Sequence, residues 1–324
     1  MGKMRYIFYT TGDLEEIAKC EVRSLVELYG GSVVGEDTQI VIAETTDKYF
    51  HRLSMVHDVS LHLFSCDIHQ LKDLFSEMKV PKGTLCVRVR KIGKKDVKSV
   101  QLEKELGAIL WSRGAEISVS NPDNIIRVYL SRKAHAGILK YEVDTKQFLE
   151  RRPDRKPFFR PGAILPRFAK ALVNVSQVRQ RLLDPMCGTG TILIETGLMG
   201  IGFAGVEAFR KIARGCMQNL SYYGLPRNVF IGDASRLPFR NGSFDGLVTD
   251  FPYLQSSKSY GELEKLYQNA LPEFHRVLRK GCRAVMISNM DVDDLIREFF
   301  TIEEKFIQRV HKSLTRRIFV ARKI

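Results

Sequence analysis

The segment Asp184–Thr191, DPMCGTGT, constrains this chain more than any other stretch. It follows the apolar run RLLD and leads into the apolar-rich TILIETGLMG, so a strand must turn almost directly into a helix there. Gly188 and Gly190 permit the tight turn and let the backbone come close to a ligand. A P-loop is excluded, because the GKS or GKT ending and its phosphate-directed lysine are missing. The third glycine of the dinucleotide fingerprint is missing too. A nucleotide-like ligand therefore fits, with Asp184, Pro185, Cys187, Gly188, Thr189, Gly190 and Thr191 as candidate contacts. The competing reading is a turn whose glycines serve packing alone. Cys187 has no paired base and sits where small residues are needed, so it reads as packing and not as a nucleophile.

Around this loop the second half alternates strand and helix. RLLD, IGFAGV, NVFIG and FDGLVT read as strands, with helices from about Thr189 to Met199 and through IARGCMQNL. The helix ELEKLYQNALPEFHRVLRK stops at Gly281, and CRAVMIS, a helix near Asp291 to Phe300, FIQRV and RRIFVAR follow. Such alternation predicts an α/β fold, a mostly parallel sheet with helices on both faces, and the last two strands predict a closing antiparallel hairpin. Two further strand ends carry acids. Glu207 in GVEAF is placed to accept hydrogen bonds from a ribose diol, and Asp233 in IGDASRLPF, with Ala234 beside it, from an adenine amino group. Each acid alone reads equally as a cap or a solvated loop residue; the ordered set points to an adenosyl ligand.

The first half mixes strands such as YIFYTT, TLCVRVR and IIRVYLS with a helix from Leu14 to Leu28, an α+β pattern. Between the halves, ERRPDRKPFFRPGAILP holds four prolines and a knot of basic residues. The expected organisation is a first domain over 1–150, a basic proline-rich linker over 151–166 and a second domain over 167–324.

Lysine and arginine total 51 against 37 aspartate and glutamate, a net charge of +14, which favours a polyanionic partner. Arg88, Arg90 and Lys91 begin a basic run that continues to Lys98, readable as a nucleic-acid rim or as an ordinary solvated face. The six cysteines form no CxxC pair and no cluster at zinc-ligand spacing, so no metal is expected. The opening stretch is polar where a signal peptide would be apolar, and no apolar run reaches membrane-spanning length. Cytoplasmic residence with reduced thiols and no membrane contact is the expectation. Oligomeric state is not readable.

The fourth strand of the second half ends in DFPY, Asp250–Tyr253. This resembles the (N/D)PPY motif of amino-group methyltransferases. The resemblance implies that Asp250 and the Phe251 carbonyl accept the two hydrogens of an exocyclic amine and that Tyr253 stacks on the base. Phe251 stands where the motif has its first proline, keeping the carbonyl while setting a bulky aromatic beside Pro252 and the base. The chemistry has a physical reason. An aryl amine's lone pair is delocalised into its ring, and two acceptors on its protons draw the nitrogen toward tetrahedral geometry. Asp250 is also the evident local acceptor for the released proton.

Nearly the whole chain carries the likeness. The first half is similar to a THUMP RNA-binding module, and PFFRPGAILPRFAKALVNV, DPMCGTGT, DFPY and HKSLTRRIFV resemble the archaeal tRNA guanine-N2 methyltransferases acting at position ten. That resemblance implies a Rossmann-like class I methyltransferase sheet, S-adenosylmethionine as cofactor and tRNA as partner. It also implies RNA contacts at Arg132 and Lys133 in SRKAHAG, and cofactor-pocket packing by Phe159, Arg160 and Pro161. Other amine targets stay open: another tRNA or ribosomal RNA guanine, or an adenine or cytosine amine. A protein that keeps the fold for RNA binding without catalysis is the reading from another class. A small-molecule methyltransferase would have little use for so basic a first half.

Overall fold

The structure, a computed structural model, describes residues 2–253, 258–311 and 314–324. The chain forms two compact units, Met1–Val143 and Asp144–Ile324.

In the first unit the elements are β1 (Met4–Thr10), α1 (Glu15–Leu28), β2 (Ser32–Asp37), β3 (Ile40–Thr45), β4 (Val56–Cys66), α2 (Leu71–Glu77), β5 (Leu85–Lys91), α3 (Ser99–Ser112), β6 (Asn124–Leu130) and β7 (Ala134–Glu142). Seven strands form one sheet in the order β2-β3-β1-β4-β7-β6-β5. Only β5 and β6 pair parallel, joined by the α3 crossover that such a pair requires. Helix α1 buries Ile17, Val22 and Leu25 at helical spacing. Its fully buried Glu21 accepts from Ser54 Oγ at 2.6 Å and from the backbone N–H of Ser54 and Met55 at 3.0 and 2.7 Å, so the buried charge meets donors of the chain.

The second unit continues with α4 (Lys146–Glu150), α5 (Pro166–Val175), β8 (Arg181–Asp184), α6 (Thr191–Leu198), β9 (Gly202–Glu207), α7 (Arg210–Tyr222), β10 (Val229–Ile231), β11 (Gly246–Asp250), α8 (Lys258–Val277), β12 (Arg283–Ser288), α9 (Asp293–Arg297), β13 (Thr301–His311) and β14 (Leu314–Arg322). Its sheet runs β10-β9-β8-β11-β12-β14-β13. The first five strands in that order pair parallel, and β14 pairs antiparallel with β12 and with β13. The sheet is thus α/β with the antiparallel hairpin that its last two strands predict. The hairpin enters by its second strand because Ile318–Ala321 is apolar and fully covered, whereas β13, rich in charged and polar side chains, takes the edge. Below the carboxyl edge the core is dense in aromatics, with Phe244, Phe251, Tyr267, Phe274 and Phe319 all buried. Among the described residues no helix is long and apolar enough to cross a membrane.

Residues 151–166, expected as a linker, count with the second unit and pack on it. Arg151 donates to both carboxylate oxygens of buried Glu195 at 2.8 and 2.9 Å. The Phe158 ring lies on Gly215 so closely that a Cβ there would meet it at 2.1 Å. Proline and basic residues end helices, but they do not prevent a segment from burying its aromatics and pairing its charges. Asn219 on α7 completes the attachment: its Oδ1 accepts from Phe158 N at 2.9 Å, and its Nδ2 donates to the Phe158 and Thr189 carbonyls at 2.8 and 3.0 Å.

Because Asn219 is fully buried, Asn219→Ala leaves several backbone groups without partners. We expect a loss of about 2 to 4 kcal/mol, read as a lower denaturant midpoint at constant slope. An unchanged midpoint would show that these bonds do not hold the segment.

Candidate active site

Strands β8, β9 and β11 run parallel, so their carboxyl ends meet at one edge, with β8 as the first strand of the unit and its neighbours leading away on both sides. That switch point is where an open α/β sheet leaves a crevice. Here it opens as a cleft of about 1170 Å³.

Asp184, Pro185, Cys187, Gly188, Thr189 and Thr191 line the cleft from the β8–α6 turn, Glu207 from the end of β9, and Asp233 and Ala234 from the loop after β10. Asp250, Phe251, Pro252 and Tyr253 line it from the end of β11. Residues some 65 positions apart in sequence therefore converge on one space. Gly190 is the exception among the expected cofactor contacts: it does not line the cleft. Its φ is +86° and a Cβ there would meet Cys216 Sγ at 2.6 Å, so it is glycine for the turn and for α7. Gly188, at φ +51°, borders open space, since a Cβ would meet nothing within 4 Å. Of the preceding segment, Arg160 and Pro161 line the cleft, while Phe159 is exposed and does not.

The acids are held by backbone donors. Glu207 Oε2 accepts from Gly188 N at 3.1 Å and Oε1 from Phe209 N at 2.9 Å, which locks the glycine turn to the next strand end. Asp233, at the rim, accepts from Ser235 N at 2.8 Å. Asp184 is fully buried and accepts from Met186 N at 3.2 Å and Thr249 Oγ1 at 3.1 Å. Burial raises its pKa to about 8, and the charges of Asp250 and Glu207 push the same way against those two hydrogen bonds. The donor set fits S-adenosylmethionine: acceptor-only carboxylates for hydroxyl and amino groups, a bare glycine turn, and no lysine directed at a phosphate. The nearby lysine, Lys156, is buried and donates instead to Thr191 Oγ1 at 2.7 Å, its pKa lowered by burial to about 8.

In the same cleft Asp250 is half-buried, and desolvation lifts its carboxyl to about 6 while a hydrogen bond from Tyr253 and the charge of Arg316 oppose the rise. The Tyr253 hydroxyl donates to Asp250 Oδ1 and accepts from Arg316 Nε at 3.0 Å. The Arg316 guanidinium also lies 5.7 Å from the Tyr253 ring centroid. The Phe251 ring is not beside the space a base would take, contrary to the expectation. It is 1% exposed, its centroid 4.0 Å from Tyr267 and 5.8 Å from Phe274, because a residue closing a buried strand can turn its side chain into the core.

Sequence reasoning missed Arg316, Lys156 and Asn219. The first two sit in basic runs that single out no one residue, and only the strand order, which puts β14 one strand beyond β12, brings Arg316 to the β11 end. Lys312 and Ser313 of the terminal motif lie outside the described residues. Among the described residues no group of three or more histidine, cysteine, aspartate or glutamate side chains is placed to hold a metal ion.

In the first unit, Arg90 and Lys91 pair in register with Tyr129 and Leu130, so Arg132 and Lys133, in the turn after β6, emerge at the same sheet end. All four are exposed. Arg132 Nε donates to Asp37 Oδ1 at 2.6 Å, yet most of its side chain stays open to solvent. Arg88 stands apart: it is half-buried, and its guanidinium donates to the Val87 and Val119 carbonyls at 3.2 and 3.1 Å.

The family model of the RMKL-like methyltransferase domain matches residues 153–318. A tRNA (guanine(10)-N2)-dimethyltransferase from Pyrococcus abyssi is 35% identical over 318 residues, covering 95% of this chain and 97% of its own. One from Methanothermobacter thermautotrophicus is 35% identical, covering 84% of each chain. A tRNA (guanine(6)-N2)-methyltransferase from Archaeoglobus fulgidus is 23% identical over 88% of this chain and 83% of its own. Among solved structures, TrmN from Thermus thermophilus superposes with a TM-score of 0.53 at 20% identity, covering 99% of this chain and 100% of its own, which speaks for the fold. With an S-adenosylmethionine-type cleft and a DFPY strand end in one unit, the chain belongs to the RMKL-like methyltransferases, in the family of the tRNA (guanine(10)-N2)-dimethyltransferases.

Proposed function

We propose that this protein transfers one or two methyl groups from S-adenosylmethionine to the exocyclic N2 amine of a tRNA guanine, at position ten. The observation that carries the reading is the convergence of the glycine turn, Glu207 and Asp233 with the DFPY strand end on one cleft. Neither half of that arrangement would specify amine methylation alone.

Glu207 would hold the ribose diol and Asp233 the adenine amino group, with Gly188 and Ala234 giving the ligand close approach. When bound, the cofactor supplies an electrophilic methyl on a sulfonium sulfur. The chain's own residues prepare the amine. Asp250 Oδ1 already accepts a hydrogen bond from the Tyr253 hydroxyl, so Oδ2 is directed at one N–H of the amine and the Phe251 carbonyl at the other. Tyr253 offers its ring as the stacking surface. Holding the nitrogen in line can supply about 7 to 11 kcal/mol of the barrier. Asp250, with a value near 6, is ionised at neutral pH and still basic enough to take the proton the amine releases.

The exposed sheet end carrying Arg90, Lys91, Arg132 and Lys133 supports a phosphate-binding role for the first unit, and Arg88 is better assigned to holding its own strand. Position ten is favoured over position six because the Pyrococcus abyssi and Methanothermobacter thermautotrophicus relatives, named for ten, are 35% identical and the Archaeoglobus fulgidus relative, named for six, is 23%. A tRNA substrate and the scattered, unpaired cysteines support cytoplasmic residence.

Glu207→Ala should weaken S-adenosylmethionine binding by roughly 10- to 100-fold in calorimetry, since a bidentate acceptor is lost together with the lock on Gly188. Retention of wild-type affinity would remove Glu207 from the cofactor site. Methylation of unmodified tRNA, with the product nucleoside and its position identified by mass spectrometry, should yield N2-methylated guanine at position ten, with kcat/KM falling steeply as salt rises. Methylation elsewhere, or binding with no transfer, would overturn the assignment. The profile of kcat should fall about tenfold per unit below pH 6, because Asp250 acts ionised and its raised value puts the acid limb there. A limb near 4 would mean that another group carries it.

A further inference from the structure

We propose that Arg316 is a positioning residue for methyl transfer, acting through Tyr253 to orient and hold ionised the Asp250 carboxylate that receives the amine. This rests on the functional reading above and adds to it a residue two strands along the sheet from β11.

The geometry forms a chain of donors. Arg316 Nε donates to the Tyr253 hydroxyl at 3.0 Å, and that hydroxyl donates to Asp250 Oδ1. The same guanidinium lies against the Tyr253 ring, 5.7 Å from its centroid, within reach of a cation–π contact. Tyr253 is therefore held twice by one side chain, at its ring and at its oxygen. Arg316 is itself 7% exposed on β14, where its backbone pairs with Gln308 of β13. Its guanidinium therefore sets a cation one hydroxyl away from the catalytic carboxylate.

That cation has work to do because the surroundings of Asp250 oppose ionisation. Desolvation works against its charge, Asp184 on β8 and Tyr267 on α8 bring no cation, and Tyr253 on the loop is neutral, its own ionisation disfavoured by burial and by Asp250. Arg316 from β14 is the cation among the groups that act on Asp250. A hydroxyl that accepts from a guanidinium is polarised and becomes a better donor to the carboxylate, which carries the charge effect along the chain. Two consequences follow for the reaction. Oδ1 is permanently engaged, so the amine meets Oδ2 in one orientation, and the ring face away from Arg316 is set as a fixed platform.

The test uses Arg316→Gln, which keeps a hydrogen-bond donor and loses the charge, and Arg316→Lys, which keeps the charge and loses the planar fork. Carboxyl carbon NMR of aspartate-labelled full-length protein follows Asp250, its signal identified by its disappearance in Asp250→Asn. The wild-type midpoint near pH 6 should rise by about one unit in Arg316→Gln and stay near its place in Arg316→Lys. In single-turnover assays with tRNA, the acid limb should move with it, kcat should fall roughly 10- to 100-fold in Arg316→Gln, and the S-adenosylmethionine affinity should be unchanged. An Asp250 midpoint that does not move in Arg316→Gln, or a rate loss equal at every pH, overturns the inference. A midpoint that moves in a protein whose wild type leaves guanine N2 unmethylated overturns the functional reading and leaves the coupling standing.

Discussion

Carboxylates brought together lose hydration and repel each other, and the second unit places Asp184, Glu207 and the half-buried Asp250 at one sheet edge. The rest of the site is organised around making that arrangement tolerable. Glu207 takes two backbone donors, Asp184 takes one backbone donor and a threonine, and Asp250 takes a tyrosine hydroxyl backed by an arginine. The differing supply of donors separates their behaviour. Asp184, with the deepest burial and two acid neighbours, is lifted furthest, to about 8, so its neutral form persists near neutral pH and the repulsion on Asp250 is relieved. Asp250, lifted only to about 6, remains the one of these two that is charged at neutral pH and can act as a base. Environment divides the tasks between two identical side chains.

The alternation of short apolar runs with periodic helices made the second unit's architecture legible, because parallel strands buried on both faces leave near-continuous apolar segments such as RLLD and IGFAGV. The direction of the last two strands was legible too. Their order in the sheet was not, since it depends on which of the two is apolar enough for an interior position, a comparison between segments and not a pattern within one. The strip from 151 to 166 misled for a related reason. Prolines and basic residues mark where regular structure stops, and they say little about whether a segment packs. Glu195, Asn219 and Gly215, the residues that receive Arg151 and Phe158, lie 40 or more positions downstream.

The cleft's lining was legible where it comes from strand ends, because strand ends can be read in sequence and parallel topology brings them together. Asp184, Glu207, Asp233 and Asp250 are of that kind. Residues that act by reaching across were invisible. Lys156 looks like any lysine in a basic run, and only its 2.7 Å bond to Thr191 and its burial distinguish it. Arg316 is likewise one of a pair with Arg317, and the two part company by facing: Arg317 donates to the Asn289 carbonyl, while Arg316 turns to Tyr253. The period-two alternation of a strand sends neighbouring side chains to opposite faces, so adjacency in sequence guarantees that their roles differ.

Phe251 shows how the loop's rigidity survives without the motif's first proline. A proline there would fix φ near −65° and would have no N–H to give. Phenylalanine lacks that constraint but donates its N–H to the Ile287 carbonyl at 3.0 Å, extending the β11–β12 ladder by one bond past Asp250. Its ring, clamped between Tyr267 and Phe274, then fixes the side chain, and Tyr267 is in turn tied to Ser288 at 2.7 Å. The backbone is held by pairing and packing on its core side, which leaves the direction of the Phe251 carbonyl as determined as a proline would make it. The constraint has moved from the covalent structure of one residue to the core beneath the loop. The geometry of the proposed amine site therefore depends on α8, through Tyr267 and Phe274, as much as on the strand that carries Asp250.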